Sequence, residues 1–234
     1  MNTAPPLAPV VTIDGPSGAG KGTVSRVLAD RLGWHLLDSG ALYRLVALAG
    51  QRQGIDPQDR GTHARLARTL DARFGQASGG GEAIWLDSTE ISTQLRTEEC
   101  GMGASRVAAW PEVREALLDR QRAYARPPGL VADGRDMGTV VFPSAPLKLF
   151  LSASAEARAE RRHKQLKEKG SDVSLAALSR EIAARDRQDS SRPVAPLVPA
   201  GDAIVIDSTA LTAAEVVDAV WLHGVQRGLW PSRS

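Results

Sequence analysis

The stretch Val10–Thr23, VVTIDGPSGAGKGT, constrains the fold more than any other part of the chain. A short β-branched run, Val10–Ile13, closes on glycine and reads as a buried strand. Gly15, Pro16, Ser17, Gly18, Ala19, Gly20 and Lys21 follow with the spacing of a phosphate-binding loop, and Gly22 and Thr23 lead into a helix over Thr23–Leu32. The chemistry asks for this composition. Several backbone N–H groups must converge on phosphate oxygens, through dihedral angles that a Cβ opposes. The helix adds the partial positive charge of its N-terminus, and Lys21 adds a full one.

The other apolar runs extend this start into an α/β chain with a parallel sheet. Trp34–Leu37, Leu130–Ala132, Leu147–Leu151 and Ala203–Ile206 read as further strands. Helical spacing marks Ala41–Arg52, Asp56–Leu70, Thr97–Val107, Glu112–Tyr124 and Glu215–His223. Between Leu70 and Leu95 the pattern changes to alternation, with Ser78–Gly81 turning the chain, so a small antiparallel hairpin is expected there.

Charged residues gather at three places along this frame. Asp38 or Ser39 can cap the helix from Ala41, while Ser39, Tyr43 and Arg44 fall on its first turns beside the phosphate loop. Arg44 suits a phosphate because its forked donors match two oxygens at once. Asp133-Gly-Arg135-Asp136 follows Leu130–Ala132, at the strand end that faces the ligand crevice of a parallel sheet. The region 155–192 is dense in arginine, with Ala155–Lys169 helical, Gly170 as its stop and Ser174 capping the next helix. Arg158 and Arg162 share one helix face, as do Arg185, Asp189 and Arg192 if the second helix persists. A charge run is ordinarily a solvated face. These arginines straddle a glycine bend, which suits a mobile lid closing over phosphates and excluding water. Ser105 and Arg114, taken alone, read as surface residues.

Composition narrows the alternatives. With 234 residues, 42% hydrophobic and 24% charged, the chain can bury one full core with a smaller insertion. Its net charge of only +2 gives no global field for nucleic acid. A single cysteine, Cys100, fits a reducing cytoplasm and reads as a small packed residue. The N-terminal MNTAPPLAP lacks the basic and apolar parts of a signal peptide, and no apolar run approaches a membrane span.

IDGPSGAGKGT, LLDSGALYR, GRDMGTVVFP, RDRQDSSR and APLVPA together resemble the bacterial cytidylate kinases, a family of nucleoside monophosphate kinases, from about Val10 to Ala219. The resemblance implies a three-layer phosphate-loop core over 10–37 and 125–230, with a helical lid at about 155–192. It also implies a monophosphate-binding region over 38–124, whose β insertion covers about 70–95. Gly15 to Thr23 would then bind the phosphates of ATP, with Lys21 stabilising the transferring group and Arg158, Arg161 and Arg162 in the lid. Ser39, Arg44 and Arg135 would hold the monophosphate of CMP or dCMP, with Tyr43 beside them. Ser105, Arg114 and Asp136 would read the cytosine edge, and Arg185, Asp189 and Arg192 would address sugar and phosphate. Lys21, Arg44, Arg135 and Arg185 are the residues implied in catalysis. Gln188 departs from the family pattern, where arginine is frequent, and Arg187 stands beside it.

Gly22 occupies the place where many phosphate loops carry a metal-ligating hydroxyl, so Mg²⁺ is expected to be held mainly by ATP and water. A cytoplasmic monomer with no nucleic-acid or membrane partner is expected. A kinase for another monophosphate, such as UMP or AMP, is the nearest alternative. A regulatory nucleotide binder or GTPase switch is further away, because the chain has no Asn-Lys-x-Asp guanine reader.

Overall fold

The computed structural model describes residues 8–76, 82–168, 170 and 173–232, apart from the side chains of Gln76 and Glu82. The turn expected at Ser78–Gly81 lies outside the described residues. Contacts divide the chain into two units: the described residues up to Asp38 together with those from Arg122 onward, and Ser39–Gln121.

The first unit is built on a five-stranded parallel sheet in the order β2-β6-β1-β7-β8. Its strands are β1 (Val10–Asp14), β2 (His35–Asp38), β6 (Leu130–Gly134), β7 (Leu147–Ser152) and β8 (Ile204–Asp207). β1 lies between β6 and β7 and is buried along its whole length, which is why it reads as an unbroken β-branched run. Helices α1 (Lys21–Leu32) and α9 (Ala213–Gln226) pack on each other and on the sheet, burying Val24, Leu28, Val216 and Val220 against Val11, Ile13, Val131 and Leu149. The helix pair α7 (Ala155–Glu168) and α8 (Leu175–Ser190) packs together after β7. Ser174 caps α8 by accepting from the Ala177 N–H at 3.1 Å. A single π turn, Met137–Val141, follows β6.

The second unit centres on α2 (Ser39–Arg52), which packs against α3 (Arg60–Thr69), α4 (Ser92–Leu95) and α5 (Glu98–Val107), with α6 (Pro111–Arg122, whose last residue falls in the first unit) following. The expected hairpin is a three-stranded antiparallel sheet, β3 (Ala72–Gln76), β4 (Glu82–Leu86) and β5 (Thr89–Glu90). Asp59 shortens α3 relative to the sequence pattern: its side chain accepts from Thr62 N at 2.9 Å and starts the helix there. α8 ends at Ser190, so Arg192 stands beyond the helix rather than on its face.

Candidate active site

β1 delivers the chain to the middle of the sheet edge, and the loop Gly15–Gly20 turns there into α1. The turn is possible only with glycine. Gly15 has φ +147°, and a Cβ on it would fall 2.0 Å from the Leu151 carbonyl oxygen. Gly18 has φ +82°, with the Arg158 Cβ 3.2 Å from where its own would stand. Lys21 opens α1 and bends back over the loop, its Nζ donating to Pro16 O at 2.9 Å.

Carboxylates surround that ammonium. Asp38, Asp133 and Asp14 end or nearly end three neighbouring strands, with Asp38 opposite Asp133 and Asp133 opposite Ile13. Burial lowers the Lys21 pKa and the nearby Arg135 guanidinium lowers it further, while Asp133, Asp14 and Asp38 act in the other direction. Burial likewise raises the Asp133 pKa, against the pull of Lys21. Asp14 is pushed up to about 6, first by burial, although two backbone donors favour its charged form. Those donors are Met137 N and Gly138 N, each 2.8 Å from one carboxylate oxygen, so Asp14 anchors the π turn after Asp136. π turns of this kind concentrate at functional sites.

The predicted residues of the first unit fall into two connected groups. Arg135 donates through Nε to Asp189 Oδ2 at 2.9 Å, and Arg192 donates to the other oxygen of the same carboxylate. Burial works to raise the Asp189 pKa, and Arg135 and Arg192 overcome it, holding the carboxyl below its ordinary value. Asp136 is buried at the start of the π turn, and Arg185 lies one turn before Asp189 on α8. The second group joins α7 to the phosphate loop. Arg158 donates to Ala153 O at 3.0 Å, Ser17 O at 3.1 Å and both oxygens of Asp186 at 3.0 and 2.5 Å. Arg161 donates to Ser208 Oγ at 3.3 Å and Ser208 O at 2.5 Å. Both arginines, which the resemblance assigns to the lid over ATP, donate here to protein acceptors. Arg162 lies on the same helix.

In the second unit, Ser39 is buried in the first turn of α2 and Tyr43 one turn on. Arg44 donates to Leu95 O at 2.7 Å and Thr97 O at 3.2 Å, which fixes its guanidinium between α4 and α5. Ser105 and Arg114 are buried, against the surface reading of their helical positions. Arg114 donates to Ala108 O at 3.1 Å and its guanidinium lies 5.7 Å from the Tyr43 ring centroid. The structure thus brings Tyr43 and Arg114 together.

Asp14, Asp186 and Ser208 carry parts of this geometry that sequence reasoning missed. Asp14 stands in the quoted IDGPSG motif, but its two partners lie 123 and 124 residues away. Among the described residues no group of three or more His, Cys, Asp or Glu side chains could hold a metal ion. No described helix is long and apolar enough to cross a membrane.

The cytidylate kinase family profile matches residues 11–224. A protein of Shewanella loihica named cytidylate kinase is 56% identical over 216 residues, covering 92% of this chain and 94% of that one. Its namesake in Methylococcus capsulatus is 59% identical over 209 residues, covering 89% and 93%. That of Pseudomonas aeruginosa is 57% identical over 221 residues, covering 94% and 96%.

Proposed function

The chain belongs to the cytidylate kinase family, and on that premise we propose that it transfers the γ-phosphoryl group of ATP to CMP or dCMP, giving ADP and CDP or dCDP. The observation that carries the reading is the glycine loop with buried Lys21 on the sheet edge that also presents Arg135 and Asp136. An acceptor phosphate is already anionic at neutral pH, so the reaction needs no general base. It needs two polyanions held in line and their repulsion neutralised.

The loop backbone binds the donor phosphates and Lys21 follows the transferring group. Ser39, Arg44 and Arg135 bind the acceptor phosphate; Ser105, Arg114 and Asp136 read cytosine; Arg185, Asp189 and Arg192 address sugar and phosphate. The buried Tyr43–Arg114 contact supports a preformed base reader, because Arg114 is oriented before any base arrives. Mg²⁺ supplies charge neutralisation when it arrives with ATP. Gly22 lacks the hydroxyl that many phosphate loops offer a metal, so ATP phosphates and water are its proposed ligands. The single, buried cysteine supports a reducing cytoplasm as the setting, and a monomer is proposed with it.

The test is ADP release from ATP and Mg²⁺ with CMP, dCMP, UMP, AMP and GMP offered separately. Turnover is expected with CMP and dCMP above the rest. A preference for UMP or AMP would overturn the assigned base reader, and no acceptor-dependent turnover would overturn the kinase reading itself.

A further inference from the structure

A phosphate loop binds through peptide N–H groups, and a planar trans peptide points its N–H away from its own C=O. Fixing the carbonyls of such a loop therefore fixes the direction of the donors that follow them. Three carbonyls of this loop are held by side chains. Lys21 Nζ holds Pro16 O at 2.9 Å, Arg158 Nη1 holds Ser17 O at 3.1 Å, and Ser208 Oγ holds Ala19 O at 3.2 Å. The N–H groups directed by these contacts belong to Ser17, Gly18 and Gly20.

One of the three supports lies on α7, and the same helix backs a second. Arg158 and Arg161 lie three residues apart on α7, on one face. Arg158 reaches the loop directly. Arg161 reaches it through Ser208, whose hydroxyl receives Arg161 Nη1 at 3.3 Å and is shared between Ala19 O and Ser152 O at 3.2 and 3.0 Å. Both ends are braced: Arg158 is 4% exposed and paired with Asp186 of α8, while Arg161 also grips Ser208 O and Thr209 O. Gly18 permits the approach, because any side chain there would press on the Arg158 stem at 3.2 Å.

We propose that Arg158 and Arg161 are positioning residues for ATP, holding the carbonyls of Ser17 and Ala19 outward so that the loop meets the phosphates with its N–H groups already aligned. This rests on the ATP-binding reading above and gives these arginines a task behind the loop instead of over the nucleotide. A cradle aligned in advance loses less entropy on binding, so the benefit appears in phosphate affinity.

The experiment is calorimetric titration of Arg158→Met, Arg158→Lys, Asp186→Asn and Ser208→Ala with ATP, with inorganic tripolyphosphate and, separately, with CMP. Thermal melting of each variant is followed in parallel. Arg158→Met is expected to weaken ATP and tripolyphosphate about 10- to 100-fold, the range for a lost charged hydrogen bond. CMP affinity should stay within about twofold, since the phosphate loop is proposed to bind the donor only. Arg158→Lys should recover part of the loss, and Ser208→Ala should weaken both polyphosphates by roughly threefold, the effect of a neutral hydrogen bond. Wild-type polyphosphate affinity in Arg158→Met overturns the proposal. Should that variant not fold, wild-type affinity in Ser208→Ala and Asp186→Asn does so. A lowered melting temperature with ATP affinity intact would mean a bracing role only, and also overturns it. A wild-type protein that binds ATP yet ignores CMP would instead overturn the acceptor assignment and leave this proposal standing.

Discussion

Asp14 holds two backbone N–H groups with a carboxyl that burial pushes toward its neutral form, to about 6 from an ordinary 3.8. Because the folded-state value is the higher one, the associated stability is complete below the unfolded pKa and is lost as pH rises through 6. The shift corresponds to roughly 3 kcal/mol. Asp14→Asn cannot take up that proton, and it turns an amide N–H₂ against a backbone N–H. The variant should therefore be most destabilised relative to wild type near pH 4, with the gap shrinking by up to about 3 kcal/mol above pH 7. Urea denaturation of both proteins across that range is the check, and a gap independent of pH would contradict it.

Elements show what local sequence can and cannot carry. The five parallel strands were legible because each is a short apolar run closed by glycine, aspartate or a polar turn, and the phosphate loop because its glycines are needed for backbone reasons. The helical pattern from Asp56 overruns α3 because Asp56-Pro-Gln fits a helix start as well as Asp59 does, and only the Asp59–Thr62 cap decides between them. The place of Arg192 beyond α8 is marked in the sequence by Pro193, which disfavours helical backbone at the residue before it, whereas the i, i+4, i+7 charge spacing points to a helix running on. Arg158 was legible as a charge and not as a brace, because its partners Ser17 and Asp186 lie 141 and 28 residues away. Local signals do govern α9. Thr212 accepts from Glu215 N at 3.3 Å while Glu215 returns a carboxylate to Thr212 N at 2.8 Å. Thr212→Ala should cost about 1 kcal/mol in chemical denaturation and leave ATP turnover unchanged.

At the scale of the whole molecule, the first unit is closed by residues from opposite ends of the sequence. Trp230 packs edge-on to Trp34 at 5.9 Å, lies 5.5 Å from Trp221, and donates through Nε1 to Trp221 O at 3.0 Å. Gly224 makes room for it, since a Cβ there would stand 1.7 Å from the Trp230 ring. Trp230→Ala should therefore remove about 3–5 kcal/mol, read as a large drop in melting temperature. Bound ATP should restore part of it by mass action.

On the proposed function, the donor phosphates meet peptide groups whose neighbouring carbonyls are held by Lys21, Arg158 and Ser208. Such a grip senses the shape and charge of a phosphate chain and is blind to whatever base hangs at its far end. Discrimination among triphosphate donors cannot come from the loop, however tightly it binds; the division of labour leaves the loop to set strength and other surfaces to set taste.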